Sequence, residues 1–128
     1  MLPIQPFVIY KYIKSHVSYV SSSEKGDWVK AAYEGLADRK GDCYVYACTA
    51  KALLTRAGIT NMDIEKIPAK SRHYWNLVDI GDGWYHFDTT PRKGGGEFLM
   101  CTEAQLMAYS TTHDNSHNYD HSLYPTVN

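Results

Sequence analysis

The segment from Cys43 to Ala57, bounded by Gly41 and Gly58, carries Ala47, Ala50, Ala52, Leu53 and Leu54 with little polar interruption. A run of strong helix formers that is apolar on most sides predicts a helix buried at the centre of the fold, with Gly58 as its stop. Every other element has to be arranged to cover it. Upstream, Val8, Ile9, Tyr12, Ile13, His16, Val17 and Val20 recur at three- and four-residue spacing, which predicts an amphipathic helix between Phe7 and Val20. Ser21, Ser22, Ser23 and Gly26 would end it. Asp27 can cap a second helix running through Leu36, with Trp28, Ala31, Ala32 and Gly35 at intervals that face a neighbour.

Downstream the period changes to two. Met62, Ile64 and Lys66 alternate with Asp63, Glu65 and Ile67, and the runs His73 to Ile80 and Trp84 to Asp88 follow. These predict strands, the last two joined as an antiparallel hairpin by Gly81, Asp82 and Gly83. Gly94 to Gly96 reads as a loop, Thr102 as the cap of a short helix holding Glu103, Leu106 and Tyr109, and the tail after Ser110 as polar and irregular. Helices first, then an antiparallel sheet packed on the central helix, is an α+β arrangement. The 128 residues suit one domain, 1–128, standing alone or cut from a larger protein.

Thirteen lysines and arginines nearly balance fourteen aspartates and glutamates, without a basic run, so nucleic acid is not an expected partner. No stretch approaches the length of a membrane span, and the opening Met1 to Tyr10, with its bare Leu2-Pro3, lacks the pattern of a signal peptide. Three cysteines without a C-x-x-C spacing argue against both a disulfide framework and a zinc ribbon. Cys48 and Cys101 read as packed apolar residues, a Cys48–Cys101 disulfide being the lesser alternative.

Cys43 is different, because it stands where a Gly-Asp loop enters the central helix. Unpaired N–H groups and the positive end of the helix dipole there favour a thiolate, and could hold an oxyanion. His73 opens the second strand and could act as base to the thiol. Asp88 ends the third strand between Phe87 and Thr89, sheltered enough to need a partner such as an imidazolium. Strand parity puts His73, Trp75 and Leu77 on one face, and Trp84, His86 and Asp88 on one face of theirs. A two-residue turn at Asp82-Gly83 would set Asp88 opposite Asn76 or Leu77, so a wider loop or a bulge is expected to bring it to His73.

The stretches GDCYVYACTAKALLTRAGI and RHYWNLVDIGDGWYHFDTTP, with Gly-x-Cys, His-x-Trp-Asn and Asp-Thr-Thr-Pro in that order, resemble the core of the transglutaminase-like superfamily in its bacterial form. The resemblance covers about residues 35 to 92 and implies a papain-like fold. It further implies Cys43 as nucleophile, His73 as base, Asp88 as orienting carboxylate, and a second oxyanion donor upstream of the cysteine. Trp28 and Tyr33 are the candidates for that donor, with core packing as their other reading, while Trp75 and Asn76 would support the site. No cofactor is implied, and no calcium loop is evident.

The tail offers a rival motif. His113, His117 and His121, with Asp114 and Asp120 nearby, could line one helix face and bind a metal, although the intervening residues are poor helix formers. The expected function is that of a thiol-dependent peptidase or amidase acting on a peptide or protein through a thioester. Acyl transfer to an amine is the alternative, or a catalytically silent binding module of a larger surface protein. Oligomeric state and location stay open.

Overall fold

The computed structural model describes residues 5–21, 26–68 and 71–128. The opening Leu2-Pro3, the helix-ending Ser22 and Ser23, and Ala69 and Lys70 before His73 lie outside them. The first helix, α1 (Pro6–His16), begins on a proline, whose missing N–H costs nothing in a first turn, and buries Ile9, Tyr10 and Ile13. It stops at His16 instead of reaching Val20. Val17 is extended but still buried, and the next residues form β1 (Ser18–Tyr19), which pairs in parallel with β2 (Lys40–Gly41). The apolar spacing that reads as one more helical turn is spent on a strand.

Helix α2 (Trp28–Tyr33) is capped by Asp27, whose Oδ1 accepts from the N–H groups of Val29 and Lys30. It widens into a π-helical turn, Glu34–Asp38, and Arg39 in the left-handed region reverses the chain into β2. The central helix, α3 (Cys43–Arg56), starts on Asp42, which accepts from Tyr44 and Val45 N–H, and ends before Gly58 at φ +78°. A Cβ on Gly41 would run into the side chain of Val45. Gly41→Ala is therefore expected to cost about 1–3 kcal/mol through overpacking, read as a lower midpoint in denaturant with an unchanged slope.

Four strands, β3 (Thr60–Glu65), β4 (Tyr74–Asp79), β5 (Trp84–Asp88) and β6 (Phe98–Cys101), form an antiparallel sheet in chain order. The predicted strand edges shift by a residue or two, and β6 is additional. Val78 and Phe87 face α1 and α3, in a core with Ile9, Tyr10, Ile13, Tyr46, Ala50 and Leu54. Trp75 and Leu77 face the opposite way, covered by Phe98, Leu106 of α4 (Glu103–Thr111), Tyr119 and Val127. Thr102 and Gln105 close a capping box at the start of α4.

The tail is turns and a short 3₁₀ segment, His121–Leu123, yet it is stitched to the sheet. Val127 bridges Trp84, and Asn128 N–H donates to the Trp84 carbonyl at 2.9 Å. At the other end, Phe98 N–H donates to the Tyr10 hydroxyl at 3.0 Å. All three thiols are free, so Cys48 and Cys101 form no disulfide. Among the described residues no helix is long and apolar enough to cross a membrane.

Candidate active site

The β4–β5 register runs from Asp79↔Trp84 to Asn76↔Phe87, so the connection is the four residues 80–83. This wider loop, without a bulge between the two strands, slides Asp88 alongside Trp75 and one diagonal step from His73 on the same face. Diagonal neighbours are within reach of long side chains. The bulge lies instead between β5 and β6, at His86/Asp88. His73 Nε2 meets Asp88 Oδ2 at 2.7 Å, both side chains buried. That leaves Nδ1 as the ring nitrogen for the Cys43 side chain, with which His73 is hydrogen-bonded.

Cys43 sits half-buried in the first turn of α3, and as a thiol it donates to the Arg72 carbonyl at 3.9 Å. Burial by itself pushes the thiol up. The hydrogen bond and charge of His73, and the Tyr74 N–H, outweigh it and hold Cys43 below the ordinary thiol value. For His73, burial pulls the imidazole down, while the Asp88 carboxylate and Cys43 raise it to about 9. Burial would raise the Asp88 carboxyl, but His73 and His117 hold it well below the usual carboxylate range. Both shifts run in the direction that favours a thiolate–imidazolium pair. Burial pushes Cys48 the other way, to about 11, as befits an inert packed thiol.

Two expectations about donors change. Of the N–H groups at the head of α3, those of Tyr44 and Val45 are already taken by Asp42, which leaves the N–H of Cys43 itself. Trp28 and Tyr33 neither line the cleft nor pack in the core: Trp28 lies under the Lys51 ammonium at 4.5 Å, and Tyr33 is 68% exposed. Helix α2 and the π-helical turn after it approach α3 through Ala31, Ala32 and Gly35, and a contact between small residues that close turns the aromatic ones outward. Tyr19, delivered by the β1–β2 pairing, lines the cleft with Cys43 instead. Burial and then the charge of Cys43 raise its phenol.

Trp75 and Asn76 are fully buried behind the site. The Trp75 ring stacks on His73 with centroids 5.6 Å apart, and its indole N–H donates to His86 Nδ1 at 3.0 Å. Asn76 donates to the Ala47 carbonyl at 3.0 Å, tying β4 to α3.

The three tail histidines do not share a helix face. Asp114 and Asn115 have φ of 57° and 55°, which breaks any helix between them. His113 stacks on Tyr109, His121 bonds Glu103 at 2.9 Å, and His117 turns inward. His117 is the residue that the sequence signal misassigned. Its Nε2 meets the same Asp88 Oδ2 at 2.7 Å, its Nδ1 meets Ser116 Oγ at 2.8 Å, and its backbone N–H donates to Ser110 Oγ. Asp88 Oδ1 accepts from Thr90 N–H at 3.0 Å. The ligating atoms of His73, Asp88 and His117 lie within 4.8 Å of one another, the one group among the described residues close enough to share a metal ion. An ion there would compete with the proton in each of the two hydrogen bonds to Oδ2.

A family model described as the transglutaminase-like superfamily matches residues 5–89. No curated protein matches the chain. Among solved structures, a provisionally assigned cysteine protease from Cytophaga hutchinsonii superposes with a TM-score of 0.56 at 23% identity, over 73% of this chain and 34% of its own. A TGase superposes with a TM-score of 0.53 at 14% identity, over 72% of this chain and 27% of its own. At these identities the likeness is one of fold. The chain spans about a third or less of the length of either structure.

Proposed function

Since the chain belongs to the transglutaminase-like superfamily, we propose that it cleaves amide bonds in a peptide or protein by thiol catalysis, with Cys43, His73 and Asp88 as its triad. The Cys43 thiolate attacks the carbonyl, and the oxyanion forms against the Cys43 N–H, with the Tyr19 hydroxyl as the second donor. His73 passes its proton from Nδ1 to the departing amine, which leaves a thioester on Cys43. Asp88 keeps the ring oriented and stabilises its charged form throughout. Water then resolves the thioester; an amine in its place would give acyl transfer by the same first half-reaction.

One observation carries this reading: His73 spends Nε2 on Asp88 at 2.7 Å and keeps Nδ1 for the sulfur, at the wall of a cleft of about 580 Å³. The volume is that of an ordinary ligand pocket. The test is the pH dependence of Cys43 alkylation by iodoacetamide, with the labelled residue located by mass spectrometry. In the native protein the rate should rise at a pH below the ordinary thiol range, and His73→Ala should return the inflection to that range. An ordinary inflection in both proteins would leave a binding module with an inert cysteine.

A further inference from the structure

The cleft beside Cys43 is lined by Lys66, Arg72, Arg92 and Lys93 against a single carboxylate, Asp114. The chain as a whole has one more acidic than basic residue, so this positive excess is local to the cleft. Among the described residues none of the four cations has a carboxylate within salt-bridge distance, Lys51–Asp63 being the only such pair that a lysine or arginine makes.

Two of the four are held in place. Lys66 is only 5% exposed, its backbone N–H donates to the His73 carbonyl at 2.9 Å, and its ammonium donates to Ser71 Oγ at 2.9 Å. An ammonium carries three donors and a full charge, and one hydroxyl answers neither. A buried cation without a counter-charge is costly, and the cost is relieved when a ligand supplies the anion. Arg92 donates from Nε to the Tyr109 hydroxyl at 3.1 Å with its guanidinium over that ring. This fixes the planar fork and leaves its terminal N–H groups for a carboxylate.

We propose that the substrate is an anionic peptide, with a carboxylate near the scissile amide held by Lys66 and Arg92 while Arg72 and Lys93 draw it into the cleft. The inference rests on Cys43 as the attacking group. It commits to the carboxylate and not to its source, an acidic side chain or a free chain end.

The test compares iodoacetate with iodoacetamide as alkylating agents of Cys43, each forming a carbon–sulfur bond with loss of iodide. At low ionic strength the iodoacetate-to-iodoacetamide rate ratio should exceed that of free cysteine by about tenfold, the lower end of what a charged cleft confers. It should fall as salt shortens the screening length. Lys66→Met should lower the ratio several-fold. His73 is common to both proteins, and a general loss of thiolate cancels because both rates come from the same protein. Lys93→Gln, at an exposed position, gives the same comparison if Lys66→Met does not fold. A ratio equal to that of free cysteine, or one indifferent to salt and to these substitutions, would overturn the proposal. Slow iodoacetamide labelling would count against the thiolate instead, since the ratio reads the field of the cleft whether or not the thiolate forms.

A second arm measures protection of Cys43 by peptides. Protection by an amidated glutamate–alanine peptide assigns the carboxylate to a side chain, and protection by a neutral peptide with a free end assigns it to a chain terminus. Protection by neither, or equal protection by a lysine–alanine peptide, rejects the anionic substrate.

Discussion

Asp88→Asn is expected to destabilise the protein by about 3–5 kcal/mol, as removal of one partner from a buried charge pair does, and to lower the proposed amide turnover at least about a hundredfold. The carboxylate accepts three hydrogen bonds: Thr90 N–H on Oδ1, and the imidazoles of His73 and His117 on Oδ2. An asparagine offers one acceptor oxygen in place of two. Whichever way the amide turns, its NH₂ group faces a donor. With the negative charge gone, His73 loses the main influence that raises its pKa, and Cys43 loses the charged partner that lowers its own. Thermal unfolding checks the first effect, and the pH profile of Cys43 alkylation checks the second.

The stability gap between wild type and Asp88→Asn should depend on pH in a defined direction. His73 is raised in the folded state from 6.5 to about 9, so its contribution is complete below pH 6.5 and is lost as pH rises through about 9. Asp88 is depressed, so its contribution is present above its ordinary value of 3.8 and is lost as pH falls through its lower folded value. The gap should therefore be widest between about pH 5 and 6.5 and should narrow toward pH 9 and above. A gap that stays constant from pH 5 to 10 would contradict the ion pair.

The second large effect is expected at His117. His117→Leu should cost about 2–4 kcal/mol, the loss of a buried hydrogen bond to a charged group together with imperfect packing. That corresponds to a fall in melting temperature on the order of 10 °C for a domain of this size. His117→Gln keeps a side-chain donor that can reach Asp88 and should recover part of the loss. Equal melting temperatures for the two variants would mean that only the volume of the ring matters. Burial holds His117 below the ordinary imidazole value despite its hydrogen bond to Asp88, which favours a neutral ring that donates to the carboxylate without adding a second positive charge.

The sequence made the buried helix legible, because Gly41 and Gly58 bound it and its strong helix formers suit no other place. Strand parity was legible for a similar reason, since alternation survives any choice of register. The register itself was not, because it depends on how residues 80–83 close the hairpin. The four residues Phe98–Cys101 show no alternation and follow a glycine run, so only pairing with β5 marks them as a strand. Val17 fits the helical spacing and is buried as that spacing implies, yet its backbone is extended: periodicity reports which side chains are inside and not which hydrogen bonds the backbone makes. Trp28 and Tyr33 fail as inward residues because helix approach is decided by the small side chains beside them. His117 was hidden most thoroughly, since its partner lies 29 residues upstream and nothing local signals the contact.

Ties that span the chain have a consequence for the order of events in folding. Phe98 and Tyr10 are joined across 88 residues, and Val127 closes onto Trp84. Contacts this distant pay their loop entropy before they return anything, which slows folding relative to a helical bundle. The lowering of the Cys43 thiol depends on His73, His73 depends on Asp88, and Asp88 is braced from residue 117. A nascent or half-collapsed chain thus carries an ordinary thiol, and the lowering of Cys43 on which its proposed reactivity rests waits for the distant closures to be made.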